Sequence, residues 1–136
     1  MADKLQLEIV SPDRSVLAEE VEEVVLPSVE GYFGVLPGHA PLLAQLGVGE
    51  VSYRVGTTRR YLAISGGFAE ISRSAVHVLA RTAERAEEID LERAMRSKER
   101  AEAELKRGGE APDVLRRAEV RLQRALSRIN VHHRGD

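Results

Sequence analysis

The chain contains no cysteine and no tryptophan, and its 136 residues include only 3 tyrosines and 2 phenylalanines. Without thiols there is neither a disulfide framework nor a thiolate metal site, which fits a reducing compartment and leaves stability to packing. With aromatics at 4%, the core has to be built from Val, Leu, Ile and Ala. No stretch approaches the roughly 18 consecutive apolar residues of a membrane span, and Met1 to Lys4 lacks the basic start and apolar run of a signal peptide. A soluble, cytosolic chain with no direct membrane insertion is expected, any membrane association running through another protein. The charges nearly cancel: 20 Lys plus Arg against 22 Asp plus Glu give a formal net charge of -2, so no global field draws the chain to nucleic acid. A Walker-type phosphate loop, a metal-spaced His pair and a nucleophile-base-acid set are missing as well. No catalytic or metal-ligating residue is assigned, and an enzyme with its own chemistry is disfavoured.

What is present divides into two halves with different periods. Leu5, Leu7 and Ile9 alternate with Gln6 and Glu8, the period of two of a half-buried strand. Ser11-Pro12-Asp13 reads as a turn. Val21–Leu26, Leu42–Leu46, Val48–Val55, Arg60–Ser65, Phe68–Ser72 and Val76–Ala80 are further strands punctuated by Gly, Pro and Ser, the pattern of a β-sandwich or barrel. Near Glu84 the composition turns to Ala, Glu and Arg. Leu91, Ala94, Lys98, Ala101 and Leu105 follow helical spacing, as do Leu115, Ala118, Leu122, Ala125 and Ile129. Gly108-Gly109 ends the first helix and Pro112 opens the second, so a short connection makes antiparallel neighbours. The fold class is therefore all-β plus α: a β-sandwich domain over 1–84 and an αα-hairpin over 85–136. Seams of Ala and Leu bury little area, so the hairpin has a small margin over its ordering entropy and can swing or dock elsewhere.

The segment from Pro27 to Leu43 is dense in turn formers. Taken residue by residue it is a loop system, with His39 a surface or structurally bonded side chain. As a whole string, Gly34-Val35-Leu36-Pro37-Gly38-His39-Ala40-Pro41 resembles the signature of the F-type ATP synthase epsilon subunit family, called delta in mitochondria. The resemblance continues through Leu46–Gly49, Ile64-Ser65-Gly66-Gly67-Phe68 with Glu70, and Ile89-Asp90-Leu91-Glu92-Arg93-Ala94, covering essentially the whole chain. It implies a flattened, antiparallel sandwich of about ten strands followed by a two-helix hairpin. It also implies a non-catalytic central-stalk subunit, peripheral at the cytoplasmic face of the bacterial cell membrane, that couples the gamma subunit to the membrane rotor ring of c subunits. Glu30, Gly31, Tyr32 and His39 are the candidates for that contact.

The helical half admits two readings. Asp90 serves as a helix N-cap, Glu92 suits the dipole, and Ile89 could staple onto Ala94. Arg93 and Arg100 are seven apart on one helix, and Arg124 and Arg128 are four apart on the other, so each pair shares a face. If the faces converge, four guanidiniums surround one place and call for an anion, to which phosphate is well matched. The family resemblance implies regulatory ATP there, through Ile89, Asp90, Arg93 and Ala94 with Glu84, Arg100, Arg124 and Arg128. Any ATP bound is a signal and not a substrate, and no other cofactor is expected. Val114 to Arg134 carries six Arg against Glu119, either a solvated face or a surface for an acidic partner. By resemblance, Arg117, Arg121, Arg124 and Arg128 face the beta subunit of the catalytic head, where an extended hairpin inhibits hydrolysis beside alpha and beta. His132-His133 reads as a frayed polar tail. The competing function is a freestanding ATP-sensing module, which needs only the hairpin and leaves the loop signature unexplained.

Overall fold

Strict alternation makes the first strand: Leu5, Leu7 and Ile9 are fully buried while Gln6 and Glu8 turn to the other face. The computed structural model describes residues 3–135, among which seven strands form one sheet. They are β1 (Leu5–Ser11), β2 (Arg14–Val21), β3 (Glu23–Ser28), β4 (Gly31–Val35), β5 (Leu42–Val55), β6 (Thr58–Ile71) and β7 (Ala75–Arg85). Their order is β2-β1-β7-β6-β5-β3-β4. All pairs are antiparallel except β1 with β7, which run parallel, a departure from the fully antiparallel sandwich expected. The sheet folds over one aliphatic core to which every strand contributes. Across that core Tyr53 of β5 donates its hydroxyl to Glu19 of β2 at 3.3 Å. Burial, then the charge of Glu19 and this hydrogen bond, raise the Tyr53 pKa.

The seven strands reconcile with the expected ten through a change of phase. On β5 the core receives Ala44 and Leu46, then Val51 and Tyr53; on β6, Leu62 and Ile64, then Ala69 and Ile71; on β7, Val76, Val78 and Ala80, then Ala83. Each strand therefore slips by one residue, and the slips are aligned where the pairing skips Gly47, Gly66 and Arg81. A one-residue slip exchanges the inner and outer faces, which is how a strand turns a corner between layers. Halving β5, β6 and β7 at this corner turns seven strands into ten segments. The separate sequence-predicted strands Leu42–Leu46 and Val48–Val55, and Arg60–Ser65 and Phe68–Ser72, are each one bent strand.

A short 3-10 turn, Ala86–Glu88, leads to α1 (Leu91–Arg107) and α2 (Pro112–Arg134). Asp90 caps α1 by accepting from the Arg93 backbone N–H at 3.1 Å. The two helices meet through Ala94 and Ala101 against Ala118 and Ala125, all buried, with the seam leucines half-buried. Ile89 lies in a separate cluster with Ala63 of β6 and Val131 of α2, flanked by Tyr61 and Ala86. Because Val131 is fully buried there, α2 runs on to Arg134, and His132-His133 belong to the helix and not to a frayed tail.

Two predictions follow from these joints. Gly67 sits in the corner at φ +118, where a Cβ would collide with the Leu79 carbonyl, whereas Gly56 at φ +63 has open space around it. Gly67→Ala is expected to cost about 2–4 kcal/mol in denaturant unfolding, and Gly56→Ala only about 1–2 kcal/mol from backbone strain. The second joint is Glu88, which accepts from the Arg85 backbone N–H at 2.9 Å and from Arg14 Nη1 and Nη2 at 2.7 and 3.0 Å. The Arg14 hydrogen bond, with smaller help from the Arg85 N–H, holds the Glu88 carboxyl below its ordinary range. With its folded pKa depressed, its contribution is complete above the ordinary glutamate range and is lost as pH falls through the folded value. Amides of the Ala86–Glu88 turn should lose exchange protection on that acid limb in wild type, while Glu88→Gln should flatten the pH dependence.

Candidate functional site

Three surfaces carry functional potential, and the first is the β3–β4 turn. Ser28 Oγ accepts from the Glu30 N–H at 3.1 Å and donates to the Gly31 carbonyl at 2.6 Å, which fixes the turn and leaves the Glu30 side chain in solvent. Tyr32 is 58% exposed, yet its hydroxyl accepts from the Glu50 N–H at 3.1 Å. A Cβ at Gly49 would come 2.6 Å from that hydroxyl and 2.7 Å from Pro27 Cβ, so only glycine admits the ring. His39 lies on the separate Leu36–Pro41 loop, which the Gly38 N–H ties to Arg73 at 2.8 Å. Its Nδ1 donates to the Ala40 carbonyl at 2.6 Å. Glu30, Gly31 and Tyr32 thus share one turn, and His39 belongs to a neighbouring loop system.

The second surface was not among the sequence candidates. Leu43, Phe68 and Leu79 are 69%, 50% and 60% exposed. Phe68 pairs with Leu79 on β7 and with Gln45 on β5, and Leu79 pairs with Val10 on β1, so these side chains form one outward apolar band. Beside it runs a groove of about 540 Å³ whose walls include Val10, Pro12, Gly66 and Arg81. The signal was available: each of these residues occupies the outward phase of its strand, where a polar side chain belongs.

The third surface is a cleft of about 350 Å³ between α2 and the sandwich. Ser127 Oγ donates to the Gly49 carbonyl at 2.9 Å and roots α2 on β5. Arg124 and Arg128 of α2 face Glu84, Arg81 and Arg14 across the cleft. Arg128 Nε approaches Glu84 Oε1 at 2.7 Å but off the N–H direction, leaving this buried donor unbonded, while Nη2 donates to Oε2 at 3.2 Å. Glu84, Arg124 and Arg128 are therefore brought together as expected. Arg93 and Arg100 are not: both lie exposed on α1, outside the lining of the cleft. Asp90 is engaged as a cap, Ile89 is buried beneath α2, and Ala94 belongs to the helix seam.

The expectation that the arginines lack counter-charges is corrected by carboxylates of other elements and of α2 itself. Arg128 pairs with Glu84, Arg121 with Glu104 of α1, and Arg117 with Asp113 at 3.7 Å. Arg134 reaches Glu50 at 3.3 Å and lies 4.7 Å from the Tyr61 ring centre. Arg124 alone of the Arg117, Arg121, Arg124 and Arg128 stripe has no acidic partner within 4 Å among the described residues.

Comparison with known proteins agrees with the two-part architecture. Residues 4–86 match the family described as ATP synthase, Delta/Epsilon chain, beta-sandwich domain, and residues 87–132 match its long alpha-helix domain. The chain is 50% identical over 133 residues to the ATP synthase epsilon chain of Syntrophobacter fumaroxidans, covering 96% of this chain and 97% of the relative. It is 48% identical over 131 residues to that of Nitratidesulfovibrio vulgaris, again covering 96% and 97%. Among solved structures, a chain of the Euglena gracilis mitochondrial ATP synthase, in an OSCP/F1/c-ring assembly, superposes with a TM-score of 0.76 at 29% identity, over 88% of this chain and 76% of that one. A chain of the Tetrahymena thermophila mitochondrial central stalk and c-ring shares the fold, with a TM-score of 0.62 at 11% identity over 96% and 97% of the two chains. Among the described residues no helix is long and apolar enough to cross a membrane. The chain belongs to the ATP synthase delta/epsilon chain family, as a non-catalytic epsilon-type subunit of the F-type central stalk.

Proposed function

We propose that the sandwich joins the gamma subunit to the ring of c subunits, and that the hairpin is a movable brake on ATP hydrolysis at the cytoplasmic face of the cell membrane. The observation that carries this reading is the division of the sandwich surface. Leu43, Phe68 and Leu79 form an uncovered apolar band, while the hairpin rests on the other side of the corner. An exposed band of this kind calls for a protein partner. Gamma fits the band, and the Glu30–Tyr32 turn with His39 supplies a polar rim toward gamma and the ring.

The hairpin's attachments suit a brake that releases. α2 is held by a small apolar cluster, one buried hydrogen bond and ion pairs that remain partly exposed, which are worth little individually. Once undocked, the Arg117, Arg121, Arg124 and Arg128 stripe is freed for the acidic surface of the beta subunit within the alpha-beta head. ATP, as a regulatory signal, binds the docked form and delays release by mass action.

Two outcomes test the halves separately. Phe68→Asp with Leu79→Asp should leave the circular dichroism spectrum unchanged and weaken gamma binding at least about tenfold; undiminished binding would remove the band from the interface. A chain cut after Glu88 keeps all of β7 and the Arg14 clasp, so it should bind gamma normally and no longer inhibit hydrolysis by the catalytic head. Retained inhibition would take the brake away from the hairpin.

A further inference from the structure

Two long-range hydrogen bonds meet on the peptide that joins Gly49 to Glu50. Its carbonyl accepts from Ser127 Oγ of α2 at 2.9 Å, and its N–H donates to the Tyr32 hydroxyl of β4 at 3.1 Å. The peptide is trans, so the two groups point in opposite directions and one rigid plane is held from both ends. The strand pairing explains why a side chain serves there. The β3–β5 register jumps from Val25 opposite Ser52 to Ser28 opposite Leu46, so residues 47–51 of β5 stand opposite only Leu26 and Pro27. Tyr32 reaches the Glu50 N–H across this gap because Gly49 has no Cβ to meet its hydroxyl. The Glu50 side chain continues the same line. Its carboxylate meets Arg134 near the end of α2 at 3.3 Å, and Tyr32, Glu50 and Arg134 line one cavity of about 360 Å³.

Ser127 is 6% exposed, and a hydroxyl buried that far costs stability unless its acceptor is in place. Fixing the Glu50 N–H fixes the Gly49 carbonyl, because the two move as one plane, and a bonded N–H also makes its own carbonyl a better acceptor. We propose that Tyr32 is a positioning residue for the docked hairpin: its hydroxyl sets the Gly49–Glu50 peptide for Ser127, so the β3–β4 turn and the docking of α2 are energetically coupled. Such coupling is reciprocal. Whatever draws the Tyr32 hydroxyl away from Glu50 weakens the hold on α2, and undocking of α2 loosens Tyr32. The tyrosine is 58% exposed next to Gly31, so a body pressed against the turn has direct access to it. The consequence for the assembled enzyme rests on the reading that this turn faces the rotor, whereas the coupling itself is a property of the free chain.

Because the chain has no cysteine, a single introduced thiol reports on one place. Ala63 is 5% exposed in the cluster with Ile89 and Val131, so the labelling rate of Ala63→Cys with a thiol reagent reads the undocked fraction. Val131→Cys, in the same cluster, serves if Ala63→Cys does not fold. Val76→Cys, fully buried in the sandwich core, reads opening of the sandwich instead. Tyr32→Phe keeps the ring and removes only the hydroxyl. It should raise labelling at position 63 about three- to tenfold and change labelling at position 76 less than about twofold. Ser127→Ala should raise the rate at position 63 by a similar factor, and adding Tyr32→Phe to it should change that rate less than about twofold further, because both side chains act through one peptide. Factors that simply multiply in the double variant show two independent contacts and overturn the coupling, as does a rate at position 63 that Tyr32→Phe leaves unchanged. A parallel rise at positions 63 and 76 assigns Tyr32 to the stability of the sandwich and overturns its role at the hairpin. The rotor reading fails on its own if the free-chain result holds and assembly onto gamma and the ring leaves the rate at position 63 unchanged.

Discussion

The collision waiting at Gly67 governs more of this molecule than any other single contact. A Cβ there would strike the Leu79 carbonyl, so β6 and β7 approach at the corner only because glycine stands between them. That approach permits the aligned one-residue slips in β5, β6 and β7. Without the slips, the two halves of each long strand would present opposite faces to the core across the bend. With them, one core closes over both layers. The outer surface is correspondingly divided: the half with Leu43, Phe68 and Leu79 is left open, and the half with Ala63 and Gly49 receives α2. The slip in β7 also turns two successive side chains, Arg81 and Thr82, outward, and both line the cleft under the helix.

The hairpin depends on that second half because it has little to hold it otherwise. Its seam is alanine against alanine, which allows close helix approach and removes little apolar surface per residue. Docking adds Ile89 and Val131, each removed from water for about 1.5–3 kcal/mol. The ion pairs to Glu84 and Glu50 retain partial exposure, so each contributes about 0–1 kcal/mol. These terms are opposed by the cost of fixing the linker, and the balance is small enough for a ligand or a competing partner to decide it. An extensive leucine interface would hold the hairpin far more tightly.

Local pattern was readable from the sequence wherever a local rule controlled the outcome. Leu5, Leu7 and Ile9 announced a strand, the alanine spacing fixed both helix seams, Asp90 was a visible cap, and Gly108-Gly109 with Pro112 marked the turn. Non-local geometry was not readable. The parallel pairing of β1 with β7 joins segments about 70 residues apart, and nothing in either strand specifies its partner's direction. The charges of α2 misled for the same reason: along the helix the arginines look uncompensated, but Glu84, Glu104 and Glu50 reach them from three other elements. Arg93 and Arg100 share a helical face as spacing requires, yet spacing says nothing about where that face points. The apolar band was legible in principle, since Phe68 and Leu79 break their strands' polar phase once the slip is known.

A consequence of the corner is that the exposed apolar band and the hairpin-facing cleft are neighbours on the same strands. Arg81 lines both the groove beside Phe68 and Leu79 and the cleft beneath α2, and its guanidinium lies over Gly66, with Cζ 3.7 Å from where a Cβ would stand. A Cβ at Gly66 would meet the arginine only at ordinary van der Waals distance, so what a side chain there would strain is the backbone at φ +71. The glycine pair acts at two scales: Gly67 lets the strands cross, and Gly66 supplies the positive φ of the corner beneath Arg81, which borders both surfaces. A long charged side chain lying on a backbone with no side chain of its own retains rotamer freedom, and it can face either surface without disturbing the core. The small apolar cluster and the partly exposed ion pairs that hold α2 lie on one side of the corner and the exposed band of Leu43, Phe68 and Leu79 on the other, so a partner on the band need not touch the contacts that hold the hairpin.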